Sequence, residues 1–125
     1  MLTDSKPQAK VTGKKGEEAV CAWLLNEGFT IRTCNFAVRE GEIDIIAHKG
    51  NVLAFIEVKT RYNNYFPLSE VITLSKQRKI IHTAKRYLLA SSDIDKVLRF
   101  DVALVTMGST PTITYIPHAF GEGKE

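Results

Sequence analysis

The sequence is poor in cysteine. Its 125 residues contain only Cys21 and Cys34, and no CxxC pair occurs. Two cysteines with this separation are too few for a disulfide scaffold, and structural zinc sites need clustered ligands. We therefore expect both cysteines to be free thiols, and we expect neither a small disulfide-rich fold nor a zinc module.

Long apolar runs and a strong excess of one charge are also missing. No run approaches the roughly 18 apolar residues of a membrane span, and the first ten residues lack the apolar core of a secretory signal. A cytoplasmic protein without a membrane partner is therefore expected. The formal net charge is only +3, which is compatible with a nucleic-acid partner held by local patches but does not by itself indicate one.

The length suits one domain, and its apolar pattern predicts an α/β fold. We expect a single domain over 13–117, with a flexible arm at 1–12 and a flexible tail at 118–125. The predicted helices span 16–27 and 73–90, and the predicted strands span 29–38, two parts of 40–61, 99–106 and 113–116. The order αβββαββ implies a central mixed β-sheet flanked by helices, with the second helix as a crossover connection.

The stretch 40–61 looks like the organising hairpin. Gly50 and Asn51 form a turn signal between two apolar runs. If Lys49 pairs with Val52, Asp44 faces Glu57 on one side of the sheet, and Glu42 faces Lys59 there too. One face should then be wholly apolar, carrying the following residues: Ile43, Ile45, Ala47, Ala54, Ile56 and Val58.

A stable fold needs a physical reason to keep the two carboxylates, Asp44 and Glu57, opposite each other. Like charges at directly opposed positions, with Cβ atoms about 5 Å apart, destabilise a sheet. A divalent cation between Asp44 and Glu57 would relieve the repulsion, since hard cations take oxygen ligands, and the ammonium of Lys59 would relieve part of it. The spacing D-x12-E-x-K places Glu57 and Lys59 on one side of their strand.

These residues resemble the core of the PD-(D/E)XK nuclease superfamily, which has the restriction-endonuclease-like fold. The similarity is closer to the small YraN-type proteins, an uncharacterised family related to archaeal Holliday junction resolvases. The segments that carry it, within about 13–105, are GKKGEEAVCAWL, GEIDIIA, FIEVKTR, KQRK and RFDVALV. In one respect the chain departs from these relatives, because Phe66 is followed by Pro67 where a glycine is usual.

The resemblance implies a metal-dependent endonuclease that hydrolyses phosphodiester bonds, with branched or structured DNA as substrate. Asp44 and Glu57 would bind Mg²⁺ or Mn²⁺, with the backbone carbonyl of Val58 as a further ligand. Lys59 would orient or help to deprotonate the attacking water, and Glu17 matches an additional acidic residue of the family. DNA is expected as the partner rather than RNA, and a homodimer is compatible with the resemblance.

Several charged residues have simpler interpretations. Arg61, Lys76, Arg78 and Lys79 are candidates for phosphate contacts, although charged helix faces are commonly just solvated. Glu17 could instead stabilise the first turn of its helix.

Three further side chains have structural interpretations. Glu42 could be a metal ligand or a salt-bridge partner of Lys59, and the inferred pairing favours the salt bridge. Asp101 is expected to pair with an arginine. Arg32 is expected to be exposed.

Three functions remain open on the sequence alone. The first is the nuclease. The second is a non-catalytic nucleic-acid-binding module that retains the nuclease fold. The third is a structural or protein-interaction domain in which the carboxylates and lysine form an ion network. Intact Asp44, Glu57 and Lys59 favour the first.

Overall fold

A computed structural model describes residues 5–62, 72–93 and 95–121. Two helices and five strands lie in these ranges: α1 (Ser5–Asn26), β1 (Thr30–Val38), β2 (Gly41–Lys49), β3 (Val52–Arg61), α2 (Leu74–Leu89), β4 (Val97–Thr106) and β5 (Thr112–Phe120). The predicted order αβββαββ is confirmed. The departure at Phe66 and Pro67 lies outside the described residues.

Helix α1 begins at Ser5, well before the predicted start at position 16. It therefore extends into the segment interpreted as an arm, whose flexibility stays a prediction. The helix ends as expected at Gly28, which has a φ of 95° and donates its N–H to the carbonyl of Leu25 at 3.1 Å. A left-handed residue at this position is a common helix stop, and glycine adopts it without steric cost.

The five strands form one mixed sheet in the order β1-β2-β3-β4-β5. Strands β3 and β4 are parallel and the other neighbours are antiparallel. Helix α2 connects the parallel pair, as a crossover must. At the other end of the sheet, β5 continues to Phe120, past the predicted end at position 116.

The predicted hairpin register is confirmed in the paired part of β2 and β3. Lys49 lies opposite Val52, and the same register holds to the pair Ile45–Ile56. Gly50 has a φ of 60° in the connecting turn, a conformation that favours glycine.

The prediction that one hairpin face is apolar and the other charged is wrong, because both faces are buried. Helix α1 covers a cluster that includes Ile45, Ala47, Ala54 and Ile56. Helix α2 covers a second cluster on the other face, which includes Ile43, Ile46, Leu53 and Phe55. Asp44, Glu57 and Lys59 lie at the end of the hairpin away from the turn, where the β2–β3 pairing stops.

Helix α2 agrees closely with its predicted range. Thr73 is the N-cap, and its side-chain oxygen accepts a hydrogen bond from the Lys76 N–H at 3.2 Å. Ile80, Thr83 and Ala84 are buried against the sheet. In the described parts of the chain, no helix is both long enough and apolar enough to cross a bilayer.

Two ion pairs outside the group of Asp44, Glu57 and Lys59 involve residues of the sheet. Asp101 is fully buried and pairs with Arg99 at 2.9 Å, so its predicted arginine partner is confirmed. Arg32 was expected to be exposed, which is wrong. It is half-buried and donates to both carboxylate oxygens of Asp93, at 2.8 and 2.6 Å, and from Nε to His48 Nδ1 at 2.8 Å.

Candidate functional site

The candidate site lies where the β2–β3 ladder ends. The last pair of the ladder is Ile45–Ile56, and Asp44 and Glu57 are the next residues on each strand. Beyond this point β3 continues to pair with β4, and β2 continues to pair with β1. The two carboxylates are therefore carried by strands whose backbones are fixed on their outer sides.

Asp44 is held by the backbone of β3. Its Oδ2 accepts a hydrogen bond from the Val58 N–H at 2.8 Å. Burial and the negative charge of Glu57 raise the pKa of Asp44 to about 7, although the Val58 hydrogen bond acts in the opposite direction. The carboxyl group of Asp44 can therefore gain or lose a proton near neutral pH.

Glu57 is buried and has a cationic partner. Its side chain is 10% exposed, and its Oε2 lies 3.0 Å from Lys76 Nζ at the start of α2. Burial acts to lower the pKa of Lys76. The hydrogen bond and the negative charge of Glu57 oppose this effect, and the pKa of Lys76 is raised above its usual value. The first turn of α2 therefore supplies a charged side chain to the end of β3.

Glu17 reaches the same site from α1. The preceding residue, Gly16, packs so closely on β3 that a Cβ there would overlap Thr60 Oγ1. Burial raises the pKa of Glu17, and the charges of Glu42 and Glu57 add to the effect. A hydrogen bond from Asn35 opposes it. Three of the predicted site carboxylates are thus near enough to influence one another.

Lys59 adds a second ammonium group to this region. Burial lowers its pKa, and the nearby positive charges of Lys76 and Arg61 lower it further. Glu57 acts in the opposite direction. A lysine with a lowered pKa releases its proton more readily than one in water, which suits a group that exchanges protons.

The four residues predicted to contact nucleic acid are placed differently. Lys76 contacts Glu57 directly, and Arg61 is exposed near Lys59. Arg78 and Lys79 are exposed on α2. In the described part of the chain, neither side chain makes an ion pair with a site carboxylate.

The expected salt bridge between Glu42 and Lys59 is wrong. No ion pair joins these two described residues; instead, the charge of Glu42 raises the pKa of both Glu17 and Asp44. The reason is that the β2–β3 ladder stops at Ile45, so the hairpin register does not carry Glu42 to a position opposite Lys59.

Two features of the site escaped the sequence. Asn35 has a φ of 55° and hydrogen bonds with Glu17 across the α1–β1 contact. Asparagine is one of the few residues that tolerates this backbone region, but nothing in the sequence locates the residue it meets. The contact of Lys76 with Glu57 also has no spacing signal, because it depends on where α2 crosses the sheet.

The donor atoms fit a hard divalent cation. Mg²⁺ is usually held by one or two carboxylates and completes its octahedron with water and phosphate oxygens. Asp44 and Glu57 supply such oxygens, and their mutual repulsion is the kind that a cation offsets. Among the described residues there is no group of three or more His, Cys, Asp and Glu side chains arranged to hold a metal ion.

Comparison with known proteins places the chain in a family. A model of the uncharacterised protein family UPF0102 matches residues 16–105. The chain belongs to the UPF0102 family. The UPF0102 match spans every candidate catalytic and metal residue, from Glu17 to Lys59, and includes Lys76.

Individual UPF0102 proteins are similar over most of their length. One from Alkaliphilus metalliredigens is 36% identical over 113 residues, covering 90% of this chain and 99% of the relative. One from Geobacter metallireducens is 39% identical, covering 89% and 93%. One from Clostridium perfringens is 44% identical over 98 residues, covering 78% and 80%. The family-level part of the sequence resemblance is confirmed; membership of the nuclease superfamily stays a prediction.

Proposed function

We propose that this UPF0102 protein is a metal-dependent nuclease that hydrolyses phosphodiester bonds in DNA. One observation carries the proposal: Asp44 and Glu57 are held side by side at a strand end although they repel each other, with Lys59 and Lys76 next to them. A carboxylate pair with adjacent ammonium groups suits binding of a cation and a phosphate together. The same residues match the PD-(D/E)XK pattern, D-x12-E-x-K.

The side chains have separate roles in this proposal. Asp44 and Glu57, with the Val58 carbonyl, would hold Mg²⁺ or Mn²⁺, and Glu17 would support them from α1. When bound, the cation would lower the pKa of a water molecule and offset charge on the phosphate. Lys59 would orient the attacking water and accept its proton, a role that its lowered pKa favours.

The proposed substrate is DNA, with branched or structured forms as the first candidates. The basic residues Arg61, Lys76, Arg78 and Lys79 would contact phosphates, which position a nucleic acid without reading its sequence. Lys76 contacts Glu57, Arg61 is near Lys59, and Arg78 and Lys79 are exposed on α2. A homodimer would suit a branched substrate, because it presents two such sites to one molecule.

A cleavage assay tests the proposal. Junction, flapped, duplex and single-stranded DNA are incubated with the protein and Mg²⁺ or Mn²⁺. Cleavage of at least one form by the wild type is expected, together with its loss in Glu57→Ala and Lys59→Ala. Glu40→Gln, a surface carboxylate paired with Arg86 outside the site, should cleave as the wild type does. Equal cleavage by Glu57→Ala and the wild type would reject the mechanism.

The ion pair between Lys76 and Glu57 favours a second candidate, a nucleic-acid-binding module without turnover. Lys76 already compensates the charge of Glu57 without a metal ion, and a module that binds DNA through its basic residues would need no metal ion either. The binding module predicts DNA affinity that persists in EDTA and falls steeply with salt, because phosphate contacts release counterions. If the protein retards DNA in a gel in the presence of EDTA but cleaves none of the four forms when a metal ion is present, the second candidate is favoured.

A further inference from the structure

Cys21 and Cys34 lie next to each other across the contact between α1 and β1. Their sulfur atoms are 3.8 Å apart, although the residues are 13 positions apart in sequence. Both are free thiols, as the sequence predicted. Cys34 is exposed and Cys21 is half-buried. The pair therefore has one sulfur that solvent reaches and a second sulfur directly beside it.

We propose that Cys21 and Cys34 form a reversible oxidation site that closes an intramolecular disulfide between α1 and β1. A disulfide has a sulfur–sulfur distance of about 2 Å. The two sulfurs must therefore approach by roughly 2 Å, a distance that side-chain rotation and small helix shifts can supply. Cysteines poised in this way, one accessible and one ready to resolve it, are typical of redox-sensing pairs.

The reaction balances as thiol–disulfide exchange with a low-molecular-weight disulfide. The exposed Cys34 thiolate attacks that disulfide, breaks its sulfur–sulfur bond and releases one small thiol. Cys21, as thiolate, then attacks the Cys34 sulfur of the mixed disulfide and releases the second small thiol. The two protein thiols lose two electrons and two protons, and the small disulfide is reduced to two thiols.

The environment of Cys21 sets the slow step. Burial and the adjacent Cys34 raise the pKa of the Cys21 thiol to about 12. The thiolate is the attacking form, so the second exchange is expected to be slow near neutral pH and to accelerate as pH rises. Proximity of the sulfurs compensates in part, because the second step is intramolecular.

The bond would lie beside the hydrogen bond between Glu17 and Asn35. Cys21 is one helical turn after Glu17, and Cys34 directly precedes Asn35. Closing the disulfide would tie α1 to β1 at this point. It would remove conformational freedom from the unfolded chain, so the oxidised protein should melt roughly 5–10 °C higher than the reduced one.

Oxidation of the full chain with excess glutathione disulfide tests the proposal. The expected product is a monomer whose mass falls by two hydrogens, with no glutathione attached, no free thiols and full reversal by dithiothreitol. Peptide mapping should join the segments that contain Cys21 and Cys34. Cys21→Ser should instead retain glutathione on Cys34, because the resolving thiol is missing.

Three results would overturn the proposal. They are a stable glutathione adduct on the wild type, disulfide-linked dimers as the main product, or two thiols that remain free in folded protein. The assay uses neither DNA nor a metal ion, so it stands or fails independently of the proposed nuclease.

Discussion

The Val58 N–H donates a hydrogen bond to Asp44 Oδ2 at 2.8 Å, immediately beyond the last paired residues of β2 and β3. A side-chain carboxylate thus takes the place of the next backbone acceptor. The contact fixes Asp44 beside Glu57, where burial and charge repulsion raise its pKa. The hydrogen bond therefore orders a carboxyl group whose ionised form is disfavoured in the folded chain. Four sets of substitutions test the contacts described above.

The first prediction concerns the charge of Asp44. Its pKa is about 7 in the folded chain and 3.8 when unperturbed, so between these values the folded state keeps a proton that the unfolded chain has lost. The free energy of unfolding therefore falls as pH rises through this window, because ionising the carboxyl group costs more in the folded state than in the unfolded chain. Asp44→Asn keeps an oxygen for the Val58 N–H but has no charge. In EDTA at about pH 8 it should be more stable than wild type by on the order of 2 kcal/mol.

Urea unfolding at about pH 4 and about pH 8 measures this difference. The gain should be much smaller at the lower pH, where the folded wild-type carboxyl is protonated and the unfolded one, with its pKa of 3.8, is still partly protonated. Glu40→Gln is the matched control and should show no such pH-dependent gain. An equal effect at both pH values, or a less stable Asp44→Asn at pH 8, would contradict the account.

The second prediction concerns Lys76, the ion-pair partner of Glu57. Lys76→Ala leaves a buried carboxylate without its cation and should cost about 1–2 kcal/mol of unfolding free energy. Added Mn²⁺ should then raise the melting temperature more in the variant than in wild type, because no ammonium competes for Glu57. Lys79→Ala, an exposed change on the same helix, should alter stability by less than about 0.5 kcal/mol. Thermal melts with and without Mn²⁺ measure these differences. An equal rise in melting temperature on adding Mn²⁺ to the wild type and to both variants would contradict a cation at Glu57.

The third prediction concerns the close approach of α1 to β3. Gly16→Ala places a Cβ into Thr60 Oγ1 and should destabilise the fold by about 1–3 kcal/mol. Gly13→Ala lies in the same helix with open space around its new Cβ, so it should stabilise by roughly 0.5–1 kcal/mol. The two variants are compared by urea unfolding. Combining Gly16→Ala with Thr60→Ala should recover part of the loss; no recovery would show that the clash lies elsewhere.

The fourth prediction concerns Arg32, the ion-pair partner of Asp93. Asp93 is 5% exposed, and Arg32→Ala leaves its carboxylate without the two hydrogen bonds at 2.6 and 2.8 Å. A loss of about 2–3 kcal/mol is expected. Arg86→Ala breaks a similar contact with Glu40 on the surface, where both partners are well solvated, and should cost less than about 1 kcal/mol. Similar losses in the two variants would mean that burial does not set the difference.

The Arg32 pair also predicts a pH dependence. The hydrogen bonds and charge of Arg32 lower the pKa of Asp93. A lowered carboxyl pKa stabilises the folded state above the unfolded pKa, and this stabilisation is lost as pH falls through the folded value. The difference between wild type and Arg32→Ala should therefore shrink in acid, which the same urea titrations at low pH would measure.

The sequence predicted the hairpin because its signals are local. The turn at Gly50 fixes which residues of β2 and β3 face each other, and the observed register follows from that turn alone. The family motif then singled out Asp44, Glu57 and Lys59. What periodicity did not reveal was the point at which the ladder stops, since that depends on how each strand pairs with its outer neighbour.

The contacts that the sequence did not predict share a physical cause. Lys76, Arg32 and Cys21 each meet a partner that lies far away in the chain, and these contacts form only when the helices have packed on the sheet. Charged residues on a helix or strand are most often solvated, so the sequence favoured exposure for Arg32. In the folded protein Arg32 is half-buried instead, where it pairs with Asp93.

Crystals of the protein soaked in Mn²⁺ give the most direct test of the proposed nuclease site. An anomalous difference peak is expected between the carboxylates of Asp44 and Glu57, with Lys76 Nζ moved away from Glu57 Oε2. No such peak is expected in Glu57→Ala crystals. A site without anomalous density at saturating Mn²⁺, with the ion pair between Lys76 and Glu57 intact, would contradict the metal-dependent mechanism.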